Sequence, residues 1–186
     1  MGALYLALLH HPVYDKDGRV VTTSITNMDI HDISRSARTY GVTRFFVATP
    51  VRTLRALAAK IVDHWQHGYG STYNGTRKEA LALVALAADL EGVLSEIERE
   101  EGKEVVVVAT SARAGDGRVP FSEMKRMLRA DPRPFLFLLG TGWGLASEVL
   151  ARAHMILEPI EGVGPYNHLS VRSAAAVLLD RLCTKG

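Results

Sequence analysis

The stretch LLGTGWGLASE, residues 138–148, places Gly140, Gly142 and Gly144 where an apolar run gives way to a helical pattern. Glycines at such a junction let backbone groups approach a bound phosphate or nucleoside with no Cβ in the way. A dinucleotide is one ligand to weigh, with Glu158 at the end of the next apolar segment as its ribose partner. The spacing is G-x-G-x-G rather than G-x-G-x-x-G and falls late in the chain, which argues against it. A P-loop is weaker still, since no lysine followed by Ser or Thr comes after the glycines. Metal chemistry has its own candidates in His10 and His11, in Asp29, His31 and Asp32, and in His64 and His67. None forms a recognisable ligand set: HWQH is not H-E-x-x-H, and D-K-D-G lacks the remaining ligands of a calcium loop, so no metal is expected. Ser-His-Asp hydrolysis finds no G-x-S-x-G elbow.

These residues need a scaffold, and apolar periodicity supplies one. Leu4 to Leu9 reads as a buried strand, followed by a turn over Asp15, Lys16, Asp17 and Gly18 that returns into Arg19 to Thr23. Ile30 to Tyr40 has helical spacing, with Asp29 as its cap and Gly41 as its stop. Arg44 to Ala48 is a second strand, and Thr49-Pro50 opens a helix to about His67. A long helix is expected from Arg77 to about Arg99, then a strand of four valines and an alanine at Val105 to Ala109. A helix near Ser122 to Leu128, a strand from Phe135 to Leu139, a helix from the glycines to about Arg152, a short strand at Met155 to Leu157 and a helix from Leu169 to Leu182 complete the pattern. Strands separated by helices predict an α/β domain with a mainly parallel sheet. In such a sheet the loops leaving the strands' C-terminal ends share one edge, so ATSARAG (109–115), LGTGWG (139–144) and EPIEGVGPYNHLS (158–170) are expected to form the site.

Bulk properties narrow the class. The chain has 186 residues, is 47% apolar and carries a formal charge of +2, which suits one globular domain over 1–186 and falls short of a histone-like binder. Its one cysteine, Cys183, rules out an intrachain disulfide and fits a reducing compartment. The apolar run in MGALYLALLHHP is too short for a membrane span and lacks a basic flank or cleavage site, so a cytoplasmic protein is expected.

Three segments together resemble the SPOUT superfamily of S-adenosylmethionine-dependent RNA methyltransferases: TSITNMDIHDISRSARTYGV (23–42), LLGTGWGLASE (138–148) and EPIEGVGPYNHLSVRSAAAVLLDRL (158–182). The sequence is most similar to small stand-alone bacterial SPOUT domains, akin to the catalytic domain of tRNA guanine-N1 methyltransferases. The resemblance implies a deep trefoil knot in the C-terminal half, S-adenosylmethionine as cofactor, tRNA or rRNA as substrate and a homodimer with the active site near the interface. It places Arg35 on the arginine of the superfamily's first motif, the first catalytic candidate. Asp29 stands where ribose methyltransferases have asparagine, and Ser170 where their S-L-N segment ends. Those departures leave methylation of a base nitrogen open beside ribose 2′-O methylation, and they are the support for an alternative, a non-catalytic RNA-binding or regulatory protein that keeps the pocket.

Methyl transfer from a sulfonium is an in-line displacement, so alignment is most of the catalysis, with removal of an acceptor proton where there is one. Asp29, His31 and Asp32 are the candidates for that proton. Backbone exposed by Gly140, Gly142, Gly162 and Gly164 would hold the cofactor's adenosine, with hydrogen bonds from Thr110, Ser111 and His168 and apolar walls from Leu139, Ile160 and Leu169. Arg38, Arg113 and Arg172 are the expected RNA contacts.

Overall fold

The structure is a computed structural model that describes residues 2–164 and 166–184. Its centre is a six-stranded sheet whose neighbouring strands all run parallel: β1 (Leu4–Leu9), β4 (Arg44–Ala48), β5 (Val84–Ala87), β6 (Val106–Ala109), β7 (Phe135–Gly140) and β8 (Met155–Ile156), in the order β5-β4-β1-β7-β6-β8. A two-stranded antiparallel hairpin, β2 (Val13–Tyr14) with β3 (Val20–Val21), follows β1. Alternation along each strand sends side chains to opposite faces, and both faces are covered. Leu4, Leu6, Leu8, Phe135 and Phe137 pack with α1 (Asn27–Thr39), α6 (Phe121–Ala130) and α8 (Val171–Cys183). Tyr5, Ala7, Leu9, Leu136 and Leu138 pack with α5 (Leu90–Glu101) and the one-turn α7 (Ser147–Leu150). Of the remaining helices, α2 (Arg52–Gln66) and α4 (Gly75–Leu81) lie beside α1, and α3 (Gly70–Tyr73) packs on α2 and α4.

The expected α/β architecture is present, with three corrections to its elements. The helix expected over 77–99 is two helices with a strand between them. Residues 81–88, LALVALAA, are good helix formers, but Val84–Ala87 pairs in parallel with Phe45–Ala48, and tertiary pairing outweighs local propensity. Asp89 then restarts the helix, its side chain accepting from the Gly92 amide at 2.9 Å. Asp29 does not cap α1: Thr26 does, accepting from the Asp29 amide at 3.1 Å, which frees the Asp29 carboxylate for other partners. The helix expected to reach Arg152 shrinks to the single turn of α7.

Chain order and strand order diverge in a way that fixes the site. From β1 the chain moves outward through β4 and β5, crosses the sheet to β6, then inserts β7 between β1 and β6 before adding β8 outside. The C-terminal ends of β7, β6 and β8 therefore lie side by side, and the loops they release are neighbours.

Candidate active site

The loops after β6, β7 and β8 are stitched at their roots. Thr110 donates its amide to Leu138 O at 3.2 Å and its hydroxyl to the same oxygen at 2.8 Å. Leu157 N donates to Ala109 O, and the segment continues against Val119: Val119 N to Ile156 O and Glu158 N to Val119 O, each at 2.9 Å. The Glu158 carboxylate accepts from the Phe121 amide at 2.6 Å, so it caps α6 rather than standing free for a ribose. Ser111 Oγ accepts from the Arg113 amide at 3.1 Å, which shapes the turn and leaves the Arg113 side chain exposed.

The glycines at 140–144 meet protein before they meet ligand. A Cβ on Gly140 would lie 2.8 Å from the Leu145 amide, and one on Gly142 would lie 2.7 Å from Tyr14 O. Gly142 also has φ +60°, in the left-handed region that favours glycine. Here the β2–β3 hairpin lies across the turn, with Trp143 N donating to Tyr14 O and Tyr14 N to Gly144 O, both at 2.9 Å. Leu139 is 2% exposed and belongs to the core, so its side chain forms no wall of an open pocket. Ile160 packs on that core from the edge, whereas Leu169, Trp143 and Tyr166 are exposed on these loops. Gly162 and Gly164 are exposed, and a Cβ on Gly164 would meet open space. The ring of His168 stands edge-on to Tyr166 at 5.4 Å. Pro165, in the same loop, lies outside the described residues.

The start of α8 ties these loops to α1. Ser170 caps α8, accepting from the Ser173 amide at 3.2 Å. Two residues on, Arg172 Nη1 donates to Asp29 Oδ1 at 2.8 Å, and its Nε lies 3.5 Å from Asp32 Oδ2. Asp29 is buried, so this pair joins α1 to α8 in a place where an unpaired carboxylate would be costly. Behind it, fully buried His10 ends β1. Burial pushes its imidazole down to about 4, against a smaller upward pull from Asp29. His10 Nδ1 lies 3.1 Å from Thr23 Oγ1, which lies 2.5 Å from Thr141 Oγ1 in the glycine turn. A polar chain thus runs from β1 through the entry to α1 into the loop after β7.

The other expected residues separate into two groups. His31, Asp32 and Arg35 line a groove of about 540 Å³ between α1, α2 and α4, with Asn27, Met28, Lys60, Ile61, His64, Trp65 and Arg77. Burial, then the Arg77 charge, holds the His31 imidazole below its usual value, which favours the neutral ring at pH 7. Arg38 turns away to Glu79 on α4, its Nε donating to Oε1 at 2.8 Å, so it is engaged by a carboxylate. Sequence reasoning missed Lys60 and Arg77 as partners of Arg35. The signal was the misread helix, because only a short α4 folding back against α1 and α2 brings Arg77 to this groove.

A family model described as SAM-dependent RNA methyltransferase matches residues 3–184. The chain belongs to that family of S-adenosylmethionine-dependent RNA methyltransferases. An Aquifex aeolicus protein is 38% identical over 182 residues, covering 98% of this chain and 89% of its own. A tRNA (guanine-N(1)-)-methyltransferase of Oleidesulfovibrio alaskensis is 44% identical over 179 residues, 96% of this chain but 41% of the relative, so the chain spans about two fifths of that enzyme. The fold is that of a SpoU methyltransferase, AviRb from Streptomyces viridochromogenes, solved with AdoMet: TM-score 0.58 at 20% identity, over 98% of this chain and 57% of that one. The SPOUT resemblance is thereby borne out, and S-adenosylmethionine is the cofactor of the family.

The loops fit that cofactor. An adenosine needs apolar surface and unused backbone groups on concave loops, and the edge of this methyltransferase sheet offers exposed Leu169, Trp143 and Tyr166 beside exposed Gly162 and Gly164, the latter with open space around it. The groove on α1 carries instead three cations, Arg35, Lys60 and Arg77, and suits an anionic substrate.

Proposed function

We propose that this methyltransferase modifies a nucleotide of tRNA or rRNA, with cofactor held by the loops after β6, β7 and β8 and the target nucleotide brought to the N-terminal half of α1. The observation that carries this reading is the Arg172 bridge to Asp29 and Asp32, which fixes the start of α1 against the segment that leaves the cofactor loop. When bound, S-adenosylmethionine supplies a methyl group on a positively charged sulfur. Backbone groups of 140–144 and 158–164 and the hydroxyls of Thr110 and Ser111 orient it.

Arg35 holds a phosphate or the acceptor group of the target in line. Asp32, exposed and only 3.5 Å from Arg172 Nε, is the carboxylate placed to take an acceptor proton; Asp29 is committed to Arg172 and acts by positioning. His31, favoured in its neutral form, is a second acceptor on the same helix face. Arg113, on the exposed loop after β6, meets RNA from the cofactor side.

The reading extends to the whole chain: a single catalytic domain, cytoplasmic, acting as a homodimer, with its C-terminal segment threaded as a trefoil knot. Insertion of β7 between β1 and β6, and the passage of residues 156–158 along Val119, support the threading. The test is incorporation of labelled methyl from S-adenosylmethionine into RNA from a strain lacking the gene. Incorporation by the wild type, lost in Arg35→Ala, is the expected result. Cofactor binding with no incorporation into any RNA fraction would instead favour a regulatory binding protein.

A further inference from the structure

We propose that the groove between α1, α2 and α4 is a track for the phosphodiester backbone of the RNA strand flanking the target nucleotide, with Lys60 and Arg77 as its phosphate contacts beyond Arg35. This rests on the RNA-modifying reading above and adds to it a binding surface outside the cofactor loops.

Charge is the first argument. Several surface arginines are matched, Arg38 with Glu79, Arg44 with Glu96 and Glu100, Arg133 with Asp131 and Arg152 with Glu91, while Arg52, Arg99, Arg113 and Arg129 are exposed in no ion pair among the described residues but line no common groove with a second free cation. Arg35, Lys60 and Arg77 gather along one groove, and none of the three is in an ion pair among the described residues. Against them the groove has one carboxylate, Asp32, already drawn toward Arg172. Gathering like charges is unfavourable in the free protein, and a polyanion relieves that repulsion while releasing its counterions.

Rigidity is the second argument. Trp65 stands at the centre as a post: the Arg77 guanidinium lies 4.8 Å over its ring, and His31 and His64 meet it edge-on at 5.4 and 5.3 Å. Gly70 backs the indole so closely that a Cβ there would come within 2.6 Å of it. With its ring so engaged, Trp65 holds the cation and imidazoles in place and is not a stacking platform for a base. Arg77 Nε, a donor, and His31 Nδ1 are buried without a hydrogen-bond partner among the described residues, so the groove holds polar capacity that the protein itself leaves unused.

Continuity is the third. Asp32 and Arg35 belong both to the groove and to the helix that Arg172 fixes beside the cofactor loop, so a strand lying in the groove leads to the place where the methyl group is delivered.

The experiment measures binding of a fluorescein-labelled, single-stranded oligoribonucleotide by anisotropy across a salt series, for wild type, Lys60→Ala, Lys60→Glu and, as a control on the opposite edge of the sheet, Lys103→Glu. The expected result is a fall in affinity of about tenfold or more for Lys60→Glu, and a salt slope shallower by about 0.7 for Lys60→Ala, the value for one phosphate contact on a single strand. S-adenosylmethionine affinity and the Lys103→Glu isotherm stay at wild-type values. Wild-type methylation of RNA with unchanged affinity and slope in both Lys60 variants would overturn the track and leave the proposed function standing. A wild type that neither binds nor methylates RNA would remove both. Light scattering showing that Lys60→Glu breaks a dimer, with RNA affinity following assembly, would make the groove an interface between copies and overturn the proposal.

Discussion

Arg35 and His10 mark two kinds of polar residue, one proposed to meet substrate and one buried in the scaffold. Arg35 is exposed on the groove face of α1 and is in no ion pair among the described residues, so its removal should cost the fold little and, on the proposed reading, the reaction much. Arg35→Ala should lower methyl transfer by about 10²-fold or more, the scale for losing a preorganised charge contact, while titration calorimetry shows cofactor affinity within about twofold of wild type. His10 is the opposite case. Its folded pKa of about 4 lies below the ordinary 6.5, so the stability it contributes is fully present above pH 6.5 and is lost as pH falls toward 4. The loss amounts to about 3 kcal/mol at most by linkage, and urea unfolding should show it as a steep acid limb that flattens in His10→Asn. The motif resemblance made Arg35 visible in the sequence. The role of His10 was hidden, because nothing in the sequence separates it from its neighbour His11 and only the end of the strand buries one of the two.

At the scale of elements, the junction of α1 and α8 and the hairpin over the glycine turn set the geometry. Arg172 keeps 30% of its side chain exposed while Asp29 keeps 8%. Arg172→Ala should therefore cost about 2–3 kcal/mol in urea unfolding, somewhat less than the roughly 3–5 kcal/mol of breaking a fully buried pair, because water reaches the arginine side. A double variant with Asp29→Asn should cost less than the two singles summed, since one change already frees the other partner. Gly142→Ala should destabilise by about 1–3 kcal/mol, from its left-handed φ and from the collision with Tyr14 O, and should weaken cofactor binding by displacing the turn. The sequence showed both glycine turns and the strands rich in Val, Leu and Phe, whose composition admits few alternatives. It concealed β5, because Leu and Ala serve a helix or a buried strand equally and only pairing with β4 decides. It also concealed why Gly142 is a glycine: the close approach is made by the hairpin from residues 13–21, more than a hundred positions earlier.

For the whole molecule, the order β5-β4-β1-β7-β6-β8 turns three stretches distant in sequence into one edge. On the proposed reading S-adenosylmethionine binds along this edge, while the cationic groove on α1 receives the substrate. Hydrogen–deuterium exchange with and without S-adenosylmethionine tests it most directly. Protection of peptides covering 110–119, 140–146 and 158–170, with exchange in 60–77 unchanged, is the predicted result. Protection centred on 60–77, or no protection in any of the three loops at saturating cofactor, would contradict it.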